Sequence, residues 1–193
     1  MADSAQDWKL TDLIALCRRG DPEAFDQLIE RYASRLYGLA LHAGSSHHEA
    51  EDLVQEIFLR VVKAVRRYRE EGRFESWLFR IAMNCIRDRQ RKKRAEPSAQ
   101  PIGQEEDRPD RWTDLPDTRP GPGQKAESRE SAARLGAALS QLPEWEREAI
   151  VLRHFSQLSF AEMAKMLDCP INTALSRVHR GLRRLKTLMT EDE

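Results

Sequence analysis

Residues 159–186 read SFAEMAKMLDCPINTALSRVHRGLRRLK. Ser159 with Glu162 three residues later has the spacing of a capping box, which satisfies the first orphan amides of a helix. Behind it Phe160, Met163, Ala164 and Leu167 recur at helical spacing and give that helix one buried face. Asp168-Cys169-Pro170 then stops it, because proline disfavours a helical conformation in the residue before it. A second helix is expected to start near Asn172 or Thr173, both good N-caps, with Ala174, Leu175, Val178, Leu182 and Leu185 as its apolar stripe. Its other side carries Ser176, Arg177, His179, Arg180, Arg183, Arg184 and Lys186, and no acid lies between Cys169 and Thr190.

Two short helices on a tight turn, the second basic and slim at its front, have the form of a helix-turn-helix DNA reader. Thr173, Ala174 and Ser176 are small enough to let the backbone approach a groove wall. Arginines one to two turns later reach guanine edges or phosphates. The bland alternative is a helical hairpin with a solvated basic face. The coincidence of the capping box with the acid-free run speaks against it.

Working outward, Ala132, Leu135, Leu139 and Leu142 continue a helical pattern upstream, and Pro143 opens a helix from Glu144 to Phe155. Before that, residues 96–123 hold six of the nine prolines and three glycines with a net acidic balance. Such a composition cannot bury enough surface to order itself. We read 95–123 as a flexible linker with an r.m.s. span of roughly 30 Å and a ceiling near ~95 Å. Trp112 is its only large aromatic.

The N-terminal part is again helical. Leu10, Leu13, Ile14 and Cys17 mark a first helix, and Asp21-Pro22 starts a second that runs to about His42. Ser46 and Glu49 form another capping box, opening a helix to about Tyr68 with Val54, Ile57, Phe58, Val61, Val62 and Val65 as its apolar face. Phe74, Trp77, Leu78, Ile81, Ala82 and Cys85 face inward on a fourth helix that ends in the basic run Arg87 to Arg94. No strand pattern and no internal repeat is evident. The expected fold is all-α: two small helical domains, 1–94 and 124–193, joined by a flexible linker, with a C-terminal helix-turn-helix.

Formal net charge is zero over 193 residues, so composition alone says nothing about nucleic acid. Its distribution does. Residues 3–59 hold eleven acids against five bases, and residues 60–94 hold thirteen bases against four acids. No apolar run approaches a membrane span and the N-terminus lacks a signal-peptide core, so a cytoplasmic protein without membrane insertion is expected. Cys17, Cys85 and Cys169 stand apart without CxxC pairs, as buried reduced thiols do. No P-loop is present and no cofactor is called for.

Asp52, Gln55 and Glu56 share one helix face, an acidic-polar patch suited to a basic protein surface or simply to solvent. Tyr68, Arg69, Arg73, Phe74 and Trp77 interleave aromatics with cations, and Arg80, Asn84, Arg87 and Arg91 follow along one flank. Aromatics and guanidinium groups bind unstacked bases, and an amide such as Asn84 pairs with the edge of an extruded one. His47, His48, Glu49, Glu51 and Asp52 crowd a helix start, but their spacing matches no HExxH site and no second ligand cluster exists. An enzyme is not expected.

GDPEAFDQLIERY (20–32), AEDLVQEIFLRV (50–61), FESWLFRIAMNCIRDRQR (74–91), LPEWEREAIVLRHF (142–155) and the 159–186 stretch together resemble an extracytoplasmic-function (ECF) sigma factor of the sigma-70 family, with regions 2 and 4 only. The resemblance covers both helical domains. It implies that Asp52, Gln55 and Glu56 dock on the clamp helices of the β′ subunit of core RNA polymerase, while the β flap cradles the C-terminal domain. Tyr68, Arg69, Arg73, Arg80, Asn84 and Arg87 fall where relatives capture the melted −10 strand. Thr173, Ser176, Arg177, His179, Arg180 and Arg183 lie on the helix that reads the duplex −35 element. An anti-sigma factor is an implied regulator, and the free chain is expected to be a monomer. Asn172-Thr173-Ala174 departs from the Gly-Thr-Val of many relatives, and Leu175 stands where a cation is common, so no −35 sequence carries over. The rival reading is a free-standing helix-turn-helix repressor or activator that dimerises on duplex DNA.

Overall fold

A computed structural model describes residues 9–69, 71–95 and 134–191. The expected linker over 95–123, apart from residue 95, and Trp112 lie outside them. Eight helices and no strand make up the described residues: α1 (Leu10–Arg19), α2 (Pro22–His42), α3 (His47–Val65), α4 (Phe74–Ala95), α5 (134–140), α6 (Glu144–Ser156), α7 (Phe160–Met166) and α8 (Ile171–Glu191).

Local chemistry sets most of the boundaries. The Asp21 carboxylate accepts from the amides of Glu23 and Ala24 at 3.0 and 3.2 Å, with Pro22 at the first helical position of α2. At α3 the Glu49 amide donates to the Ser46 hydroxyl at 3.3 Å, and the Ser46 amide donates back to Glu49 at 2.9 Å. The start of α8 differs from expectation. Neither Asn172 nor Thr173 caps it; the helix begins at Ile171, and the Pro170 carbonyl accepts from the Thr173 and Ala174 amides at 2.9 and 3.1 Å.

Around α2, helices α1, α3 and α4 assemble, and α6, α7 and α8 form a second set. The two sets also meet directly. Arg35 of α2 donates through Nε to the Phe155 carbonyl at 2.8 Å, through Nη2 to the Ser156 carbonyl at 3.0 Å, and through Nη1 to Glu75 at 2.8 Å. A Cβ added at Gly38 would sit 2.3 Å from the Phe155 ring, so only glycine lets α6 come this close. His42 stacks on the same ring with centroids 5.6 Å apart. One hydrophobic cluster runs from Leu13 through α2–α4 into Ala149, Leu152 and Met163, and a smaller one joins Leu139, Leu142 and Ile150.

Burial and the neighbouring His154 lower the pKa of His42 below the ordinary 6.5. A histidine held neutral in the fold contributes stability that is present above 6.5 and lost as pH falls toward the folded value. Chemical denaturation at pH 7.5 and 5.5 is therefore expected to show wild type losing stability and His42→Gln losing less; equal losses would contradict the assignment.

Candidate nucleic-acid and polymerase interface

On α3, Asp52 accepts from Arg89 of α4 at 3.3 Å, and Glu56 pairs with Arg60 one turn on. Arg60 also lies 3.6 Å from Asp88, and Lys93 lies 3.3 Å from Glu49. The basic end of α4 thus folds back along the acidic face of α3. Partly exposed pairs of this kind contribute little to stability and exchange readily for an external partner. Gln55 is exposed. Beside it, Leu59 and Val62 are 60% and 43% exposed, although Val62 was expected to face the core. Positions 55, 59 and 62 follow one helical row, which puts two apolar side chains into the polar patch. Leu59 escaped the sequence reading because a lone leucine off the apolar stripe carries no periodic signal.

The loop before α4 is organised by aromatics. Tyr68 is only 8% exposed, meeting the Phe74 ring edge-on at 5.5 Å and lying 4.8 Å from Trp77. It is a wall of the site more than an open platform. Lys63, Ala64, Arg67, Tyr68 and Trp77 line an open cavity of about 350 Å³. Arg69, Arg73, Arg80 and Asn84 are all exposed. Arg87 is not free: Nε donates to Glu148 of α6 at 2.7 Å, and both terminal nitrogens face the Met166 carbonyl at 3.3 and 3.4 Å. Arg94 pairs with Glu144 in the same seam.

On α7 the Ser159–Glu162 capping box is complete, and the Ser159 hydroxyl and amide hold the Glu162 carboxyl below its usual pKa. On α8 the Ser176 hydroxyl donates to the Thr173 carbonyl at 3.0 Å. His179, Arg180 and Arg183 are exposed, while Thr173, Ser176 and Arg177 are half-buried. Leu182, expected within the apolar stripe, is 48% exposed, because Ala174, Val178 and Gly181 carry the buried row. Arg177 and Arg180 lie over the Trp145 ring of α6, and Arg184 donates to the fully buried Glu146 at 3.0 Å. Sequence reading did not single out Trp145 or Glu146. Among the described residues no three His, Cys, Asp or Glu side chains group as a metal cage, and no helix is long and apolar enough to cross a membrane.

Two family models match: Sigma-70 region 2 over residues 28–96 and Sigma-70, region 4 over residues 132–185. The RNA polymerase sigma-H factor of Pseudomonas aeruginosa is 30% identical over 94% of this chain and 92% of its own length. This chain belongs to the sigma-70 family. The ECF sigma factor SigW of Bacillus subtilis is 30% identical, with 88% of this chain and 90% of SigW covered. SigE of Mycolicibacterium smegmatis is 34% identical over 87% of this chain, which spans 62% of that longer relative. These relatives place the sigma factor in the ECF branch. Among solved structures, CnrH in complex with the cytosolic domain of CnrY is similar in fold at TM-score 0.67 and 24% identity, with 94% of this chain and 97% of that one covered. Bartonella quintana RpoE in complex with the anti-sigma factor NepR matches at TM-score 0.64 and 26% identity, over 88% of this chain and 98% of that one. Membership makes core RNA polymerase and promoter DNA the sigma factor's partners, and transcription initiation its role.

The capping box sets where α7 begins, and so the angle of the helix-turn-helix. Ser159→Ala is expected to cost about 1 kcal/mol and to lower the melting midpoint by about 2–4 °C. An unchanged midpoint by differential scanning calorimetry would show the box to be dispensable.

Proposed function

We propose that this sigma factor gives separate tasks to separate exposed faces, within domains at 1–94 and 124–193 joined through 95–123. Asp52, Gln55 and Glu56, with Leu59 and Val62 as an apolar centre, dock on the β′ clamp helices. The exposure of those two side chains supports this, since an interface core is depleted in charge and needs apolar area. Arg69, Arg73, Arg80 and Asn84 take the melted −10 strand, with Asn84 against the extruded base and Tyr68 as a rigid wall. Thr173, Ser176, Arg177, His179, Arg180 and Arg183 read the −35 duplex, while the β flap cradles α5–α8. The single observation that carries the reading is that three exposed faces of different chemistry occur on one chain: acid-apolar on α3, arginine-amide on α4, and acid-free on α8.

Arg87 joins the −10 contact only after its partners change. Glu148 and the Met166 carbonyl occupy it in the closed arrangement, so α6 must leave α4 before a phosphate takes their place. Core polymerase, gripping the two domains at separate points, supplies that separation, and the tether keeps both domains at high effective concentration. CnrH and RpoE are each seen with a bound partner, CnrY and NepR. An anti-sigma factor that holds this chain closed in the cytoplasm is the corresponding regulator, and the free chain acts as a monomer.

Run-off transcription with core enzyme tests the reading. The wild-type chain is expected to start transcripts at discrete sites. Asn84→Ala should reduce open complexes about fivefold or more while core binding is spared, one base contact being worth about 1–3 kcal/mol. Glu56→Lys should lose core binding first. No transcript from any promoter, with tight binding of a palindromic duplex by the chain alone, would favour a free-standing repressor instead.

A further inference from the structure

Trp145 has no place in the core, yet two arginines of α8 lie over its ring. It is the second residue of α6 and is 37% exposed, while Glu146, Ala149 and Ile150 beside it are buried. The Arg180 guanidinium carbon lies 4.8 Å from the indole centroid, and that of Arg177 lies 5.9 Å away. One turn further along the same flank of α8, Arg184 donates to Glu146. Positions 177, 180 and 184 follow the i, i+3, i+7 row of a helix, so the Trp145–Glu146 pair meets all three. The close approach depends on Gly181: a Cβ there would lie 2.5 Å from Ile150 Cδ1 and 3.2 Å from Glu146 Cβ.

We propose that Trp145 is a positioning and specificity-determining residue for −35 recognition, its indole face holding Arg177 and Arg180 in the orientation in which they meet the DNA. This rests on the proposed role of α8 as the −35 reader. Stacking engages the flat face of a guanidinium and leaves its in-plane N–H donors unblocked; in Arg180 the Nε donates to the Ser176 carbonyl at 3.4 Å, which leaves the terminal nitrogens for DNA. An arginine lying on Trp145 therefore still presents its paired terminal nitrogens to a guanine edge or a phosphate. A long side chain left loose contacts phosphates in many poses, whereas one already ordered loses less freedom on binding and keeps one pose. Ordering of this kind favours the correct base sequence over general attraction to the backbone, so Trp145 governs discrimination more than affinity.

The test uses the full chain assembled with core polymerase. The probes are a promoter duplex selected from a randomised pool by the wild-type holoenzyme and the same duplex with its −35 element scrambled. Trp145→Leu keeps apolar bulk without a π face, and Trp145→Phe keeps the face. Trp145→Leu is expected to lower the binding ratio between the two duplexes about five- to thirtyfold, the effect of two exposed cation–π contacts. Trp145→Phe should retain at least about half of the ratio, with core binding equal in all three. Arg180→Ala should also lower the ratio, and combining it with Trp145→Leu should cost less than the product of the single losses. A wild-type ratio in Trp145→Leu, alongside a lowered one in Arg180→Ala, overturns the proposal. So do equal losses in the Leu and Phe variants, which would make the ring mere packing. An unchanged ratio in Arg180→Ala would instead overturn the reading of α8 on which the proposal stands.

Discussion

Arg35 bonds to the C-terminal carbonyls of α6, and the joining of the two helical sets depends on that contact. The last carbonyls of a helix lack intrahelical donors and carry its negative dipole end. Arg35 supplies donors to two of them, at Phe155 and Ser156, while its third nitrogen holds Glu75 at the start of α4. The guanidinium lies over the Tyr32 and Phe79 rings as well, at 5.4 and 5.0 Å, so its orientation is fixed from below. With α6 anchored at this end, Phe155 settles against Gly38, and the seam continues along α4 to Arg87 and Arg94. The seam thus runs the length of α6, and its contacts include one side chain proposed to hold promoter DNA.

The seam could not be read from the sequence, for a physical reason. Arg35 and Phe155 are 120 residues apart, and Arg87 and Glu148 are 61 apart. No periodicity or capping rule connects positions at that distance. Local rules succeeded where the chemistry is local: Asp21 before Pro22, Ser46 with Glu49, and Ser159 with Glu162 each mark the start of a helix. They failed at α8, where the helix begins at Ile171 and Pro170 stands at the N-cap position expected of Asn172 or Thr173. Val62 and Leu182 fit an apolar stripe by count, yet face outward because the buried rows are already filled, by Ile57, Phe58, Val61 and Val65 on α3 and by Ala174, Val178 and Gly181 on α8. Asn84, Arg80 and Arg73 could be singled out from sequence as an amide among arginines, and all three are exposed in the structure. Trp145 was not, since an isolated aromatic near a helix start has meaning only beside the arginines that the fold brings to it.

Arg87 has an internal partner that resembles its proposed external one. Glu148 and the Met166 carbonyl stand where a phosphate would stand, whereas the contact of Trp145 with Arg177 and Arg180 lies outside the seam and need not break for them to meet DNA. Partners of this kind keep cations solvated and ordered without binding them tightly, because half-exposed ion pairs are screened and weak. Exchange for DNA phosphates then releases counterions from the DNA and carries its own salt dependence. On the proposed role of Arg87, closure and promoter binding draw on the same side chain, and occupancy of one state opposes the other.

The distance between the two helical sets is the direct measure of that opposition. Nitroxide labels at Ser34→Cys on α2 and Lys165→Cys on α7 report it by pulsed electron paramagnetic resonance. Only Cys169 needs replacement, since Cys17 and Cys85 are buried and their thiols are pushed up to about 11. The account predicts one short, narrow distance in the free chain and a longer one once the chain is assembled with core polymerase on promoter DNA. The same short distance in both states would contradict it.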